Sequence, residues 1–169
     1  MTTARPIAFL LGSDSDLPAL EGAFKTLQDL GIGFHVRILS AHRTPDEASH
    51  FARTAKEQGV KVLIGAAGMA AHLAGALAAH SLLPVLGVPI DSGPLRGEDA
   101  LLSTVMMPPG IPVAATGIGQ AAAKNAALFA VRILALSDNN LAQKLEVLRA
   151  AERDKTLGKD REVRARFGC

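Results

Sequence analysis

Short apolar runs alternate with longer stretches whose apolar residues recur at helical spacing. Residues 6–11, 34–39, 60–66, 84–88 and 111–116 have the length and composition of strands. Residues 17–30, 45–58, 70–82, 98–105 and 120–136 carry the helical pattern, so each strand is followed by a helix. Strands that read as apolar on both faces belong in a parallel sheet covered by helices on both sides, and right-handed crossovers leave few topologies. The pattern predicts a three-layer α/β/α fold with a central parallel sheet, flavodoxin-like or Rossmann-like. Ser137-Asp138-Asn139-Asn140 is a helix start signal, and residues 141–151 continue it as a C-terminal helix. Beyond Asp154 the chain becomes charged and loses periodicity, so its end is expected to be exposed or held by another subunit.

The 169 residues fit one domain, with a core over 1–136 and a C-terminal helix and tail over 137–169, and contain no internal repeat, low-complexity tract or linker. In open parallel sheets ligands bind beyond the carboxyl ends of the strands. The loops at Gly12, Ser40, Ala67, Pro89 and Thr116 are therefore expected on one rim.

Composition narrows the function classes. The hydrophobic fraction of 49% is high and the charged fraction of 20% low, leaving surplus apolar surface to be covered. The helix over 70–82 is small or apolar nearly all round, which a small domain can hardly enclose; it is expected at a subunit interface in a closed symmetric oligomer. No apolar run reaches the roughly 18 residues of a membrane span. The N-terminus arrives at Gly12-Ser13-Asp14-Ser15-Asp16 too soon for a signal peptide. The single cysteine, Cys169, excludes an intrachain disulfide and a cysteine-ligated metal site and fits a reducing, cytoplasmic setting. The net charge is +2, its basic residues gathered between Lys144 and Arg166 among acids, and there is no Trp or Tyr to stack on bases; a nucleic-acid reader is not expected.

Chemistry concentrates in the predicted rim loops. Ser13, Asp14, Ser15 and Asp16 follow Gly12 at a helix start, where hydroxyls and free amides suit a phosphate or a ribose, although Ser and Asp are equally good helix caps. Ser40-Ala41-His42-Arg43-Thr44-Pro45 places an imidazole, a guanidinium and two hydroxyls before the next helix. A Thr44 cap beside an exposed His and Arg is the bland reading; the shared rim favours function. Ala67-Gly68-Met69-Ala70-Ala71-His72-Leu73 would let backbone amides approach a ligand, with His72 either near it or merely satisfying a backbone group. His35, His50 and His80 read as structural. Gly117-Ile118-Gly119 matches a dinucleotide fingerprint loosely, but no strand pattern follows its helix, so it reads as a tight turn. No metalloprotease, P-loop or nucleophile-elbow motif occurs.

Taken together, Gly12 to Asp16, Ser40 to Pro45, Ala70 to Leu73, Leu86-Gly87-Val88-Pro89, Pro108 to Pro112 and Asn125 to Leu128 resemble the class I N5-carboxyaminoimidazole ribonucleotide mutases of purine biosynthesis, over nearly the whole chain to Leu136. The resemblance implies an isomerase that moves a carboxylate from the exocyclic nitrogen to the ring carbon of the ribonucleotide, with carbon dioxide as a transient intermediate. It implies that His42 is the acid and base, that Ser13, Asp16 and Arg43 bind the ribose phosphate with Gly12, Ser15 and Ser40 as neighbours, and that Ala70, His72 and Leu73 line the base end. It further implies no metal, no organic cofactor and a homo-octamer. The sister class II, direct carboxylases, usually has Lys at position 43 and Ala-Gly-Arg-Ser-Asn over 67–71, so this chain resembles class I. Met69 stands for a usual Gly, Ala74 for Pro, Ala100 for Ser and Met106 for Gln, which bears on the base end. The competing readings are direct carboxylation of aminoimidazole ribonucleotide, a non-catalytic nucleotide-binding module with no use for His42, and, more remotely, a dinucleotide-dependent oxidoreductase.

Overall fold

The computed structural model describes residues 4–168; Met1 to Thr3 and Cys169, on which the terminal and cysteine readings rest, lie outside the described residues. The chain forms two compact units, 1–130 and 131–169. In the first, strands β1 (Ile7–Leu11), β2 (Phe34–Ile38), β3 (Val62–Ala67), β4 (Val85–Pro89) and β5 (Ala114–Ala115) make one parallel sheet in the order β2-β1-β3-β4-β5. Helices α1 (Leu17–Asp29), α2 (Pro45–Thr54), α3 (Leu73–His80), α4 (Glu98–Val105) and α5 (Gly119–Ala135) follow the strands in turn. This is the flavodoxin-like arrangement of the α/β/α class.

The interior strands read as continuous apolar runs because both of their faces are covered: every residue of β1 and β4 is buried. Phe9 meets Phe24 of α1 and Phe34 of β2 at ring-centroid distances of 5.0 and 5.8 Å. On the other face Ala8 and Leu10 join Phe51 of α2 and Leu73, Ala74 and Leu77 of α3 in one cluster. A Cβ on Gly65 would lie 2.9 Å from the Ala74 backbone, so only glycine in β3 lets α3 sit this close to the sheet.

Four expectations need correction. β2 is an edge strand whose Val36, Arg37 and Ile38 are exposed, so it is not apolar on two covered faces. β5 pairs over only two residues instead of six, and both ends of the segment 111–116 run as loop. α3 begins at Leu73 and ends at His80, shorter at both ends than the 70–82 expected, and His80 is its exposed last residue. In the second unit, α6 (Asn139–Phe167) runs on well past residue 151. Its start is fixed by Asp138, whose carboxylate accepts from the Asn140 and Leu141 amides at 3.0 and 3.1 Å, and its end by Gly168 at φ +70°. The charged stretch lacks an apolar stripe but is rich in Arg and Lys, whose intrinsic propensity carries the helix with every residue solvated or partly so.

Candidate active site

The strand order reverses at β1, with β2 on one side and β3 on the other, and a crevice opens beyond their carboxyl ends. Backbone bonds fix the loops there: Gly12 N–H donates to Ala66, Leu39 to Leu11 and Ile90 to Ala67, at 2.9–3.1 Å. The resulting cleft of about 540 Å³ is lined by the loops after β1, β2, β3 and β4. All ten candidate residues face it: Gly12, Ser13, Ser15, Asp16, Ser40, His42, Arg43, Ala70, His72 and Leu73. The Thr116 loop does not line it; Thr116 is bonded back to the Gly87 carbonyl, and Gly119 at φ +79° opens α5 as a tight turn, with no further strand among the described residues.

Residues 13–16 serve as a cap. Ser13 precedes a 3-10 turn over Asp14–Asp16 that leads into α1; its hydroxyl accepts from the Ser15 amide, while its own N–H donates to Asp16 Oδ2 at 3.0 Å. Asp16 is 5% exposed. Burial pushes its carboxyl above the ordinary value, and the Ser13 amide and the Arg43 cation pull it only part of the way back. The folded protein thus binds this proton more tightly than the unfolded chain, and stability contributed by protonated Asp16 is lost as pH rises from 3.8 through the folded value. Asp16→Asn should therefore raise the urea midpoint at pH 7, with the gain shrinking as the pH is lowered towards 4. An unchanged midpoint at pH 7 would refute it.

In the second loop Thr44 does not cap α2. Its hydroxyl instead accepts from the Ser40 amide at 2.8 Å and returns a bond to the Ser40 carbonyl, while the Ser40 hydroxyl accepts from the His42 and Arg43 amides. This knot turns both side chains towards the cleft. The Arg43 guanidinium donates to the Gly12 carbonyl, joining the first two loops, and its other N–H groups have no bond among the described residues.

His42 Nε2 stands 2.7 Å from His72 Nδ1, with the rings near perpendicular at 74°. One nitrogen must carry the hydrogen and the other accept it, so the pair holds a single transferable proton between two solvent-facing imidazoles. His72, at the start of α3, makes no capping bond; its role as a mere backbone partner is set aside by this contact. His35, read as structural, lies on β2 with a buried Nε2 that has no partner, and burial together with Arg5 and Arg37 lowers its pKa. His50 is exposed on α2.

Ser92 also lines the cleft; its place in the Pro89 loop is its only signal in the sequence. A Cβ on Gly68 would fall 1.8 Å from Ser92 Oγ, so the loops after β3 and β4 interlock where glycine leaves room. Of the four departures from the class I pattern only Met69 borders the cleft; Ala74 and Ala100 are buried in packing and Met106 is exposed elsewhere. Met69 has φ +55°, the left-handed region that glycine enters freely, which accounts for the usual residue there. Among the described residues no three His, Cys, Asp or Glu side chains converge as metal ligands, and no helix is long and apolar enough to cross a membrane.

Known proteins resemble this chain over most of its length. It is 52% identical over 146 residues to a Brucella melitensis protein, covering 86% of this chain and 90% of the relative. It is 48% identical over 151 residues to one from Escherichia coli K12, covering 89% of each. Both relatives are named N5-carboxyaminoimidazole ribonucleotide mutase. The crystal structure of Treponema denticola PurE superposes with a TM-score of 0.83 at 28% identity, covering 92% of this chain and 96% of that one. Residues 6–155 match the family described as AIR carboxylase, and the chain belongs to that family.

Proposed function

We propose that this chain is an isomerase that interconverts N5-carboxyaminoimidazole ribonucleotide and 4-carboxy-5-aminoimidazole ribonucleotide in purine biosynthesis, the reaction for which its relatives are named. The observation that carries the reading is the His42–His72 pair in a cleft also lined by Arg43 and the Ser13–Asp16 turn. Arg43 anchors the phosphate, with Ser13 and Asp16 on the ribose phosphate portion and Gly12, Ser15 and Ser40 beside them. Ala70, His72 and Leu73 receive the base.

His42 gives its proton to the exocyclic nitrogen as the nitrogen–carboxyl bond breaks and carbon dioxide leaves. The ring carbon then attacks the carbon dioxide, and His42 removes the proton from that carbon. The two halves sum to an isomerisation: no electron and no net proton enters or leaves, so one imidazole returns to its starting state each turnover. The bond to His72 orients the ring, and the substrate must displace it wherever His42 acts through Nε2.

The test is incubation of the protein with the nitrogen-carboxylated ribonucleotide without added bicarbonate. The carbon-carboxylated isomer should appear at a catalytic rate; no turnover by folded protein would overturn the reading. Turnover only of aminoimidazole ribonucleotide plus bicarbonate would establish direct carboxylation instead.

The cytoplasm is the natural site for this chemistry, and a homo-octamer is the natural assembly. Exposed Leu82, Leu95, Leu102 and Met106 support self-association, because a monomer would leave them in water. Sedimentation should give a mass several times that of the chain, and a monomer at micromolar concentration would refute the assembly.

A further inference from the structure

The cleft is unevenly supplied with donor side chains. Ser13, Ser15, Ser40 and Arg43 stand on the loops after β1 and β2. Beyond β3 and β4 the lining is glycine, alanine, Met69 and Leu73, apart from His72 and Ser92, the only side-chain donors there among the described residues. His72 Nδ1 is taken up by His42. The Ser92 hydroxyl makes no hydrogen bond among the described residues, yet its place is fixed. A Cβ on Gly68 would fall 1.8 Å from Ser92 Oγ and 3.0 Å from its Cβ, so the side chain sits in the notch that the glycine leaves. Two residues earlier, the Ile90 N–H donates to the Ala67 carbonyl at 3.0 Å and ties the same two loops together. A donor held in position with no partner in the protein is one that a ligand can use at little cost in ordering.

Its place in the sheet says which part of the ligand it meets. Neighbouring strands lie about 4.8 Å apart, so the three steps from β2 to β4 cover about 14 Å, a span that a mononucleotide bridges from end to end. With the phosphate on Arg43, the carboxylated side of the imidazole reaches the loops after β3 and β4. We propose that Ser92 binds the substrate's carboxylate, its hydroxyl donating to a carboxylate oxygen, and that residue 68 is glycine because the hydroxyl occupies the space a side chain would fill. The assignment rests on the mutase reading above for the identity of the ligand. A neutral donor suits a carboxylate that has to depart. A cation there would stabilise the ionised ground state and raise the barrier to losing carbon dioxide, whereas a hydroxyl orients the group with a weaker hold.

Calorimetry with two nucleotides tests the assignment: the carbon-carboxylated product, and aminoimidazole ribonucleotide, which lacks the carboxylate. Ser92→Ala should weaken binding of the first about ten- to hundred-fold, the loss of one hydrogen bond to a charged group, and leave binding of the second unchanged. Gly68→Ala, whose methyl displaces the hydroxyl, should show the same selective loss. Native affinity of Ser92→Ala for the carboxylated nucleotide, or an equal loss for both nucleotides, would overturn the contact; native affinity of Gly68→Ala would overturn the part given to glycine. Binding needs no turnover, so the two readings fail separately. A native protein that prefers the carboxylated nucleotide through Ser92 yet does not isomerise it removes the mutase and leaves Ser92 standing. Native turnover with unaltered binding in Ser92→Ala removes Ser92 and leaves the mutase.

Discussion

His42→Asn should lower turnover by about 10²–10⁴ while the nucleotide still binds. Asparagine is close to imidazole in size and can still exchange a hydrogen bond with His72 Nδ1, so the knot around Ser40 and the rest of the cleft should persist. What it lacks is a proton that can be given and taken back. Binding, measured by calorimetry with the carbon-carboxylated product, should change little, because the groups assigned to the phosphate and ribose lie on the other loops or on Arg43. His72→Asn should cost less than His42→Asn, since it removes a partner that orients the ring and leaves the transferring ring in place. A folded His42→Asn protein that isomerises at close to the native rate would move the proton-transfer role to His72.

Arg43→Ala should raise KM by about ten- to hundred-fold, the loss of a charge-assisted contact of about 1.5–3 kcal/mol. Two effects combine there. The phosphate loses its fork of donors, and the first loop loses the guanidinium that joins it to the second through the Gly12 carbonyl. Arg43→Lys should recover part of the affinity, because it restores the charge without the planar pair of donors. A further signature distinguishes this from loosened packing. Arg43 holds the Asp16 carboxyl down against its burial, so without the cation that carboxyl rises further, and the pH dependence of KM should move to higher pH in Arg43→Ala. An unchanged KM would place the phosphate elsewhere.

Much of the fold was legible because strand and helix periods are local properties. Continuous apolar runs in β1, β3 and β4 announce strands covered on both faces, and their alternation with helices leaves a parallel sheet and one functional rim. β2 is different: Phe34-His35-Val36-Arg37-Ile38 interleaves polar residues, and its edge position depends on which strands come to lie beside it. α6 outruns its apolar periodicity because charged residues of high helix propensity continue the helix without it. The ambiguity at residues 13–16 was of another kind. Ser13 and Asp16 form a capping box and also face the cleft, so serving as a cap does not take them out of the candidate site.

The sequence by itself determined the class of fold, a rim of five loops of which four line the cleft, and the residue types available for chemistry, since each follows from short-range pattern and strand polarity. Only the tertiary structure decided which groups meet. His42 and His72 are separated by thirty positions, yet they stand at hydrogen-bond distance because β1 lies between β2 and β3 and brings the ends of both outer strands to one crevice. The fit of Ser92 into the space at Gly68, and of Met69 against Gly93, likewise arises from β3 and β4 being neighbours, a long-range pairing that no local spacing encodes.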